Sequence, residues 1–171
     1  MPGRRDPITI ATMRKLLGAT LATALLVLAP ASASVAAPAT GSFDVSVTNV
    51  TAQPAPGGNC LVTLTATFVF TGTLQGSFTA PFVILHEAAC DQPAAETFVS
   101  HGTFSGAVVR RDTTRTGTFD FVFAGSIDAA SNARGTLVVL RGTGELEQLR
   151  GTLELTGISG VGGTYRGALS I

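Results

Sequence analysis

The tripeptide Gly-Thr followed by Leu, Phe or Tyr occurs six times, beginning at Gly72, Gly102, Gly117, Gly135, Gly151 and Gly163. Each copy sits at or near a run in which polar and apolar residues alternate, the period of a half-buried β-strand. Glycine permits the bend or bulge at which a strand enters a sheet, threonine is β-branched, and the large apolar residue opens the buried face. Spacings of 30, 15, 18, 16 and 12 residues are too irregular for a solenoid and fit consecutive antiparallel strands joined by turns. The chain is therefore constrained to an all-β fold.

Individual strands can be read from the same alternation. Val45 and Val47 alternate with Asp44, Ser46 and Thr48 in a first strand over 44–51, and residues 53–59, with two Pro and two Gly, form a loop. Next, Val62, Leu64, Ala66, Phe68 and Phe70 share one face, with Thr63, Thr65, Thr67 and Thr71 on the other. Over 76–86, Phe78, Ala80, Phe82 and Ile84 keep this register, while Pro81, which lacks a ladder donor, marks an edge, a bulge or a seam. A connection over 87–95 leads to a long strand, 96–110, bent at Gly102 and Gly106, and the polar run 110–115 turns the chain. Phe119, Phe121 and Phe123 then stack on one face opposite Thr118 and Asp120; after a turn at 129–133, the stretches 135–141, 151–157 and 163–171 supply three more strands. Eight strands without a helical period predict an eight-stranded antiparallel closed barrel, which removes exposed edges; a two-sheet β-sandwich is the alternative.

The first 36 residues read as an export signal: Arg14 and Lys15, an apolar run over 16–29, then Ala31-Ser32-Ala33 or Ser34-Val35-Ala36 for a peptidase. Met13 is a candidate true start, and Arg4-Arg5 raises the twin-arginine alternative, against which Asp6 and Pro7 stand. The apolar run is too short to span a bilayer, so the expectation is a cleaved signal, a single barrel domain over 37–171 and a secreted or periplasmic protein without a membrane anchor. That domain carries seven Arg, ten Asp plus Glu and no Lys, a net charge of −3, which argues against nucleic acid as a partner. Cys60 and Cys90 are the only cysteines. In an exported chain they are expected to form one disulfide, stabilising by about 3 to 4 kcal/mol in the chain-entropy model; a reactive thiol or a metal ligand is the alternative.

Chemistry-bearing residues are sparse. His86, Glu87, Asp91 and His101 are the one cluster with metal-ligand character, but adjacent strand residues point to opposite faces, so no metal and no cofactor is expected. Arg110, Arg111, Asp112 and Arg115 read as a solvated hairpin or as an anion subsite at a barrel mouth. Asp120, Glu154, Tyr165 and Arg166 alternate with apolar neighbours and are the candidate catalytic groups if they line a cavity, or solvent-face residues if they do not. An inward Asp120 would need a partner such as Arg166 or Tyr165. Phe119, Phe121 and Phe123 are the candidate ligand contacts; facing inward, they make the lumen filled or greasy. Asn49-Val50-Thr51 matches a glycosylation acceptor.

The decamer Gly142-Thr143-Gly144-Glu145-Leu146-Glu147-Gln148-Leu149-Arg150-Gly151 resembles a signature of the allene oxide cyclase and dirigent superfamily of barrels, and is most similar to that of an uncharacterised bacterial family within it. Phe70-Thr71-Gly72-Thr73-Leu74-Gln75-Gly76, Gly117-Thr118-Phe119 and Gly163-Thr164-Tyr165 complete the order. Physically, Gly142 and Gly144 suit a tight positive-φ turn, Leu146 and Leu149 plug a barrel end through one helical turn, Gly151 starts the next strand, and Arg150 pairs with Glu145 or caps carbonyls. The resemblance implies a barrel that binds or cyclises an apolar or aromatic molecule, and assembly as a homo-oligomer such as a trimer, which Val83 beside Ile84 and Val138 beside Val139 also suggest. Only the closure motif matches, so the expected function is a non-enzymatic small-molecule-binding or structural protein, with a cyclase or isomerase acting in the lumen as the alternative.

Overall fold

The structure, a computed structural model, describes residues 36–171; the export-signal reading of the preceding residues lies outside them. Eight strands follow one another: β1 Ala37–Pro54, β2 Cys60–Gly72, β3 Leu74–His86, β4 Glu96–Arg110, β5 Thr113–Ile127, β6 Asn132–Gly144, β7 Arg150–Ile158 and β8 Gly162–Ser170. Each pairs antiparallel with the next, and β1 pairs with β8 from Ala37↔Leu169 to Asp44↔Gly162, closing the ring. That last ladder decides for a barrel against a sandwich.

Two boundaries differ from the sequence reading. β1 begins seven residues earlier than Asp44 because the inward residues of its first half are Ala39, Gly41 and Phe43, whose small members hide the alternation. β5 absorbs most of the polar run after Arg110, since its first residues, Thr113 to Thr116, pair with β4 from Arg110 to Ala107 while staying exposed on both faces. Pro81 lies at a seam within a closed sheet: β3 and β4 pair at Ser77↔Ser105 and again at Phe82↔Ser100 in one register, and the gap between is bridged by the buried Ser100 hydroxyl donating to the Pro81 carbonyl at 2.7 Å. β1 carries a bulge between Thr48 and Thr51, where Asn49 takes φ 54°, a left-handed conformation that asparagine tolerates.

All ten phenylalanines of the chain are buried in the lumen, every one of them on β1 to β5. Their rings form a continuous network, with centroids 4.7 Å apart at Phe68–Phe78, 4.4 Å at Phe78–Phe121 and 4.6 Å at Phe104–Phe119. β6 to β8 face them with Leu137, Val139, Leu153, Leu155, Tyr165 and Leu169. The repeated tripeptide serves this packing. At Gly102, Gly117, Gly135, Gly151 and Gly163 the glycine and the large residue two places on share the inward side, and threonine faces out. Gly102 and Gly135 have no positive φ, so the bend expected there gives way to a question of space: a Cβ on Gly135 would lie 2.6 Å from the Phe123 ring.

One end of the barrel is plugged by the β6–β7 connection. Leu146 and Leu149 are fully buried in a single turn closed by the Leu149 amide donating to the Leu146 carbonyl at 2.8 Å. Arg150 caps carbonyls, donating to Leu149 O at 2.6 Å and Glu147 O at 3.3 Å, while Glu145 instead accepts from the Thr116 amide and hydroxyl at 2.8 and 3.0 Å. These two bonds hold the Glu145 carboxyl below its ordinary range, the backbone one contributing most. Gly144 has the expected positive φ, 63°; Gly142 does not, and is small because a Cβ would overlap the Leu146 carbonyl oxygen.

The two glycines should therefore separate in a denaturation experiment. Gly144→Ala is expected to lose about 1–2 kcal/mol for left-handed backbone, and Gly142→Ala to exceed the roughly 3 kcal/mol that bounds most single substitutions, because the plug itself must move. Urea unfolding of both variants checks the order; equal losses would contradict this account of the turn.

Candidate functional site

At the end opposite the plug, the inward residues shrink from phenylalanine to Val45 and Val47 on β1, Leu64 and Ala66 on β2, and Ala133 and Gly135 on β6. The aromatic column stops short, and an apolar cavity of about 80 Å³ opens there. Ile84, Phe98, Phe123 and Ile127 wall it from β3 to β5, and Ser159 and Gly160 of the β7–β8 turn border its rim.

The residues singled out from the sequence do not converge on this cavity. Asp120 lies on the outer face, where it accepts from Arg141 Nε at 2.8 Å and Thr103 Oγ1 at 2.7 Å; the Arg141 bond is the main reason its carboxyl is held low. Its partner is thus Arg141, neither Arg166 nor Tyr165. Glu154 and Arg166 pair across β7–β8 at 3.0 Å with side chains 60% and 80% exposed. Tyr165 is buried near the plugged end, its hydroxyl donating to Thr71 O at 3.1 Å and accepting from the Leu74 amide at 2.7 Å. Burial pushes the phenol up from its ordinary value, which suits a fixed neutral anchor. Of the three candidate ligand contacts Phe123 lines the cavity, and Phe119 and Phe121 belong to the filled column.

His86 and His101 are likewise apart. His101 is exposed opposite Val122, whereas His86 joins Glu96, with Nδ1 2.9 Å from Oε1, and the Gln92 carbonyl, 2.7 Å from Nε2. Among the described residues no three metal-ligating side chains gather. Cys60 and Cys90 form a disulfide, which ties the β3–β4 connection to the start of β2 and fits an oxidising compartment. At the plugged end Arg110 donates to the Leu169 carbonyl at 2.6 Å, and with Val108, Thr113 and Arg115 it borders a recess of about 90 Å³.

Residues 39–165 match the model of a family described as "Protein of unknown function (DUF3224)". The chain belongs to the DUF3224 family. A crystal structure described as a protein with unknown function from that family, from Shewanella oneidensis MR-1, is similar with a TM-score of 0.60 and 23% identity, covering 79% of this chain and 97% of that one. At this identity the likeness carries the fold alone. No curated protein matches.

For this DUF3224 barrel the cavity lining went unrecognised in the sequence, although the fall from Phe70 and Phe68 through Ala66 to Leu64 and Val62 along one face of β2 is its signal. The His86–Glu96 pair was hidden because it forms across the β3–β4 ladder, ten residues apart.

Tyr165→Phe deletes the acceptor of the buried Leu74 amide and is expected to cost about 1–3 kcal/mol. Chemical denaturation measures the loss; an unchanged midpoint would remove the anchoring role.

Proposed function

We propose that this DUF3224 barrel is an exported, non-enzymatic binding protein whose open end receives the apolar end group of a small molecule. The observation that carries the reading is the cavity itself, walled by Val45, Leu64, Ala66, Ile84 and Phe98 while Asp120, Glu154 and Arg166 lie on the outer face. Its volume of about 80 Å³ admits about three groups of water or methylene size, against roughly 300–1,000 Å³ for a site enclosing a whole drug-sized ligand. Cyclisation of an entire substrate in the lumen, as the likeness to allene oxide cyclases and dirigent proteins implies, needs the space that the phenylalanine rings occupy. The disulfide and the signal-like first 36 residues support export.

The reading is tested with straight-chain alkanols from ethanol to hexanol, following methyl NMR shifts of the cavity wall. Affinity should rise about fourfold per methylene, the equivalent of about 0.8 kcal/mol, and level off once about three carbons are housed. Ala66→Leu should abolish binding, and absence of shifts across the series would refute the reading.

The outer face favours self-association as a second part of the proposal. Val83, 46% exposed, faces Val99, 49% exposed, across β3–β4, and Val122 faces Val138 across β5–β6. Sedimentation should show an oligomer that Val99→Arg converts to monomer; a monomer at every concentration ends this part.

A further inference from the structure

We propose that His86, Glu96 and the Gln92 carbonyl form a proton-dependent latch that fastens the β3–β4 connection, residues 87–95, at the open end of the barrel. Beside an ionised Glu96 the geometry calls for a charged ring. Nε2 lies 2.7 Å from a carbonyl oxygen, which can only accept, so Nε2 carries a proton. Nδ1 lies 2.9 Å from Glu96 Oε1, and an ionised carboxylate also only accepts, so Nδ1 carries one too. The ring is an imidazolium, joining the last residue of β3 to the first of β4 and to the middle of the connection between them. Deprotonation leaves a lone pair facing either the carbonyl or the carboxylate, and one of the two bonds is lost.

The surroundings leave Glu96 as the main electrostatic partner. From β2 the neighbour is Cys60, which is disulfide-bonded and does not titrate; Glu87 and Asp91 on the connection and Asp128 beyond β5 are exposed. Asp128 is itself held by the amides of Ala130 and Asn132. The Glu96 bond first and the Gln92 carbonyl second raise the imidazole above 6.5. Its folded value thus exceeds its unfolded one, so the latch contributes fully below about pH 6.5 and its contribution disappears as pH rises through the raised value. The disulfide keeps Cys90 in place throughout, which confines the released stretch to residues between Cys90 and Glu96. His86 and Glu96 stand one inward-facing layer beyond Ile84 and Phe98 of the cavity wall, so release frees chain beside the opening. That consequence for access rests on the binding reading; the latch is tested without any ligand.

The test uses the disulfide-bonded protein carrying His101→Gln, which leaves His86 as its sole imidazole, with proton NMR of the ring and hydrogen exchange of the two amides bonded within the connection, Gln92 N–H to the Ala89 carbonyl and Glu87 N–H to the Ala95 carbonyl, over about pH 5 to 9. The expected result is a His86 midpoint above 6.5, with exchange, corrected for its intrinsic rate, speeding severalfold through that same midpoint. Glu96→Gln, whose amide serves a neutral ring as well as a charged one, should bring both transitions to lower pH. A His86 midpoint at or below 6.5, loop protection that ignores the midpoint, or a midpoint unmoved by Glu96→Gln overturns the latch. Circular dichroism verifies that the variant keeps the barrel; if it does not fold, the two readouts on the parent decide.

Discussion

Ten phenylalanines must share the inside of an eight-stranded ring, and the rest of the molecule accommodates them. A barrel of this strand number encloses little more than the side chains that fill it. With the rings grouped on β1 to β5, the opposing strands offer mainly leucine, valine and glycine beside Tyr165, and residues such as Gly135 are small because a phenyl edge already occupies the place of a Cβ. Aromatic contacts at centroid distances of 4.4–5.0 Å, as at Phe78–Phe121 and Phe98–Phe123, each add about 0.5–1.5 kcal/mol beyond the burial of their area. Filling by aromatic rings also sets how much room is left, and where: an apolar cavity opens where the inward residues become Val45, Leu64 and Ala66.

Charge is handled by exclusion from that interior. The Asp120–Arg141 and Glu154–Arg166 pairs sit on the outer face, where solvent screens them and their contribution to stability is small. Two polar groups that do enter are hydrogen-bonded: Tyr165 bonds the chain on both sides of the β2–β3 turn, and Ser100 satisfies the carbonyl left over where Pro81 interrupts the ladder. The pattern is that of a scaffold organised for packing, with its chemistry concentrated at the margins.

The strands were legible because their two faces differ so sharply: threonine outside and phenylalanine inside along β2 leave no ambiguity of period. Closure and the plug were legible through the decamer, by its resemblance to a barrel signature and by Leu146 and Leu149 three residues apart, both of which are buried. The start of β1 was not, since alanine and glycine give no hydrophobic contrast even when they face the core. The direction of the faces was equally beyond a single strand's pattern: Asp120 and Phe121 alternate in either orientation, and only the assembled ring places one outside and the other in. The His86–Glu96 pair depended on the register of β3 against β4, which the connection's length alone does not set.

The two ends of the barrel differ in what they can tolerate over evolutionary time. The plugged end binds Leu146, Leu149, Tyr165 and Arg110 into one set of interlocking backbone contacts, so a change in length there disturbs closure itself. At the other end the β1–β2, β5–β6 and β7–β8 turns project past the last aromatic layer, and the β3–β4 connection is held by a disulfide and a histidine that lie outside the core. Descendants of such a chain are free to lengthen, shorten or recolour those connections while the folding information stays intact, so that diversification and foldability are inherited through different stretches of the same sequence.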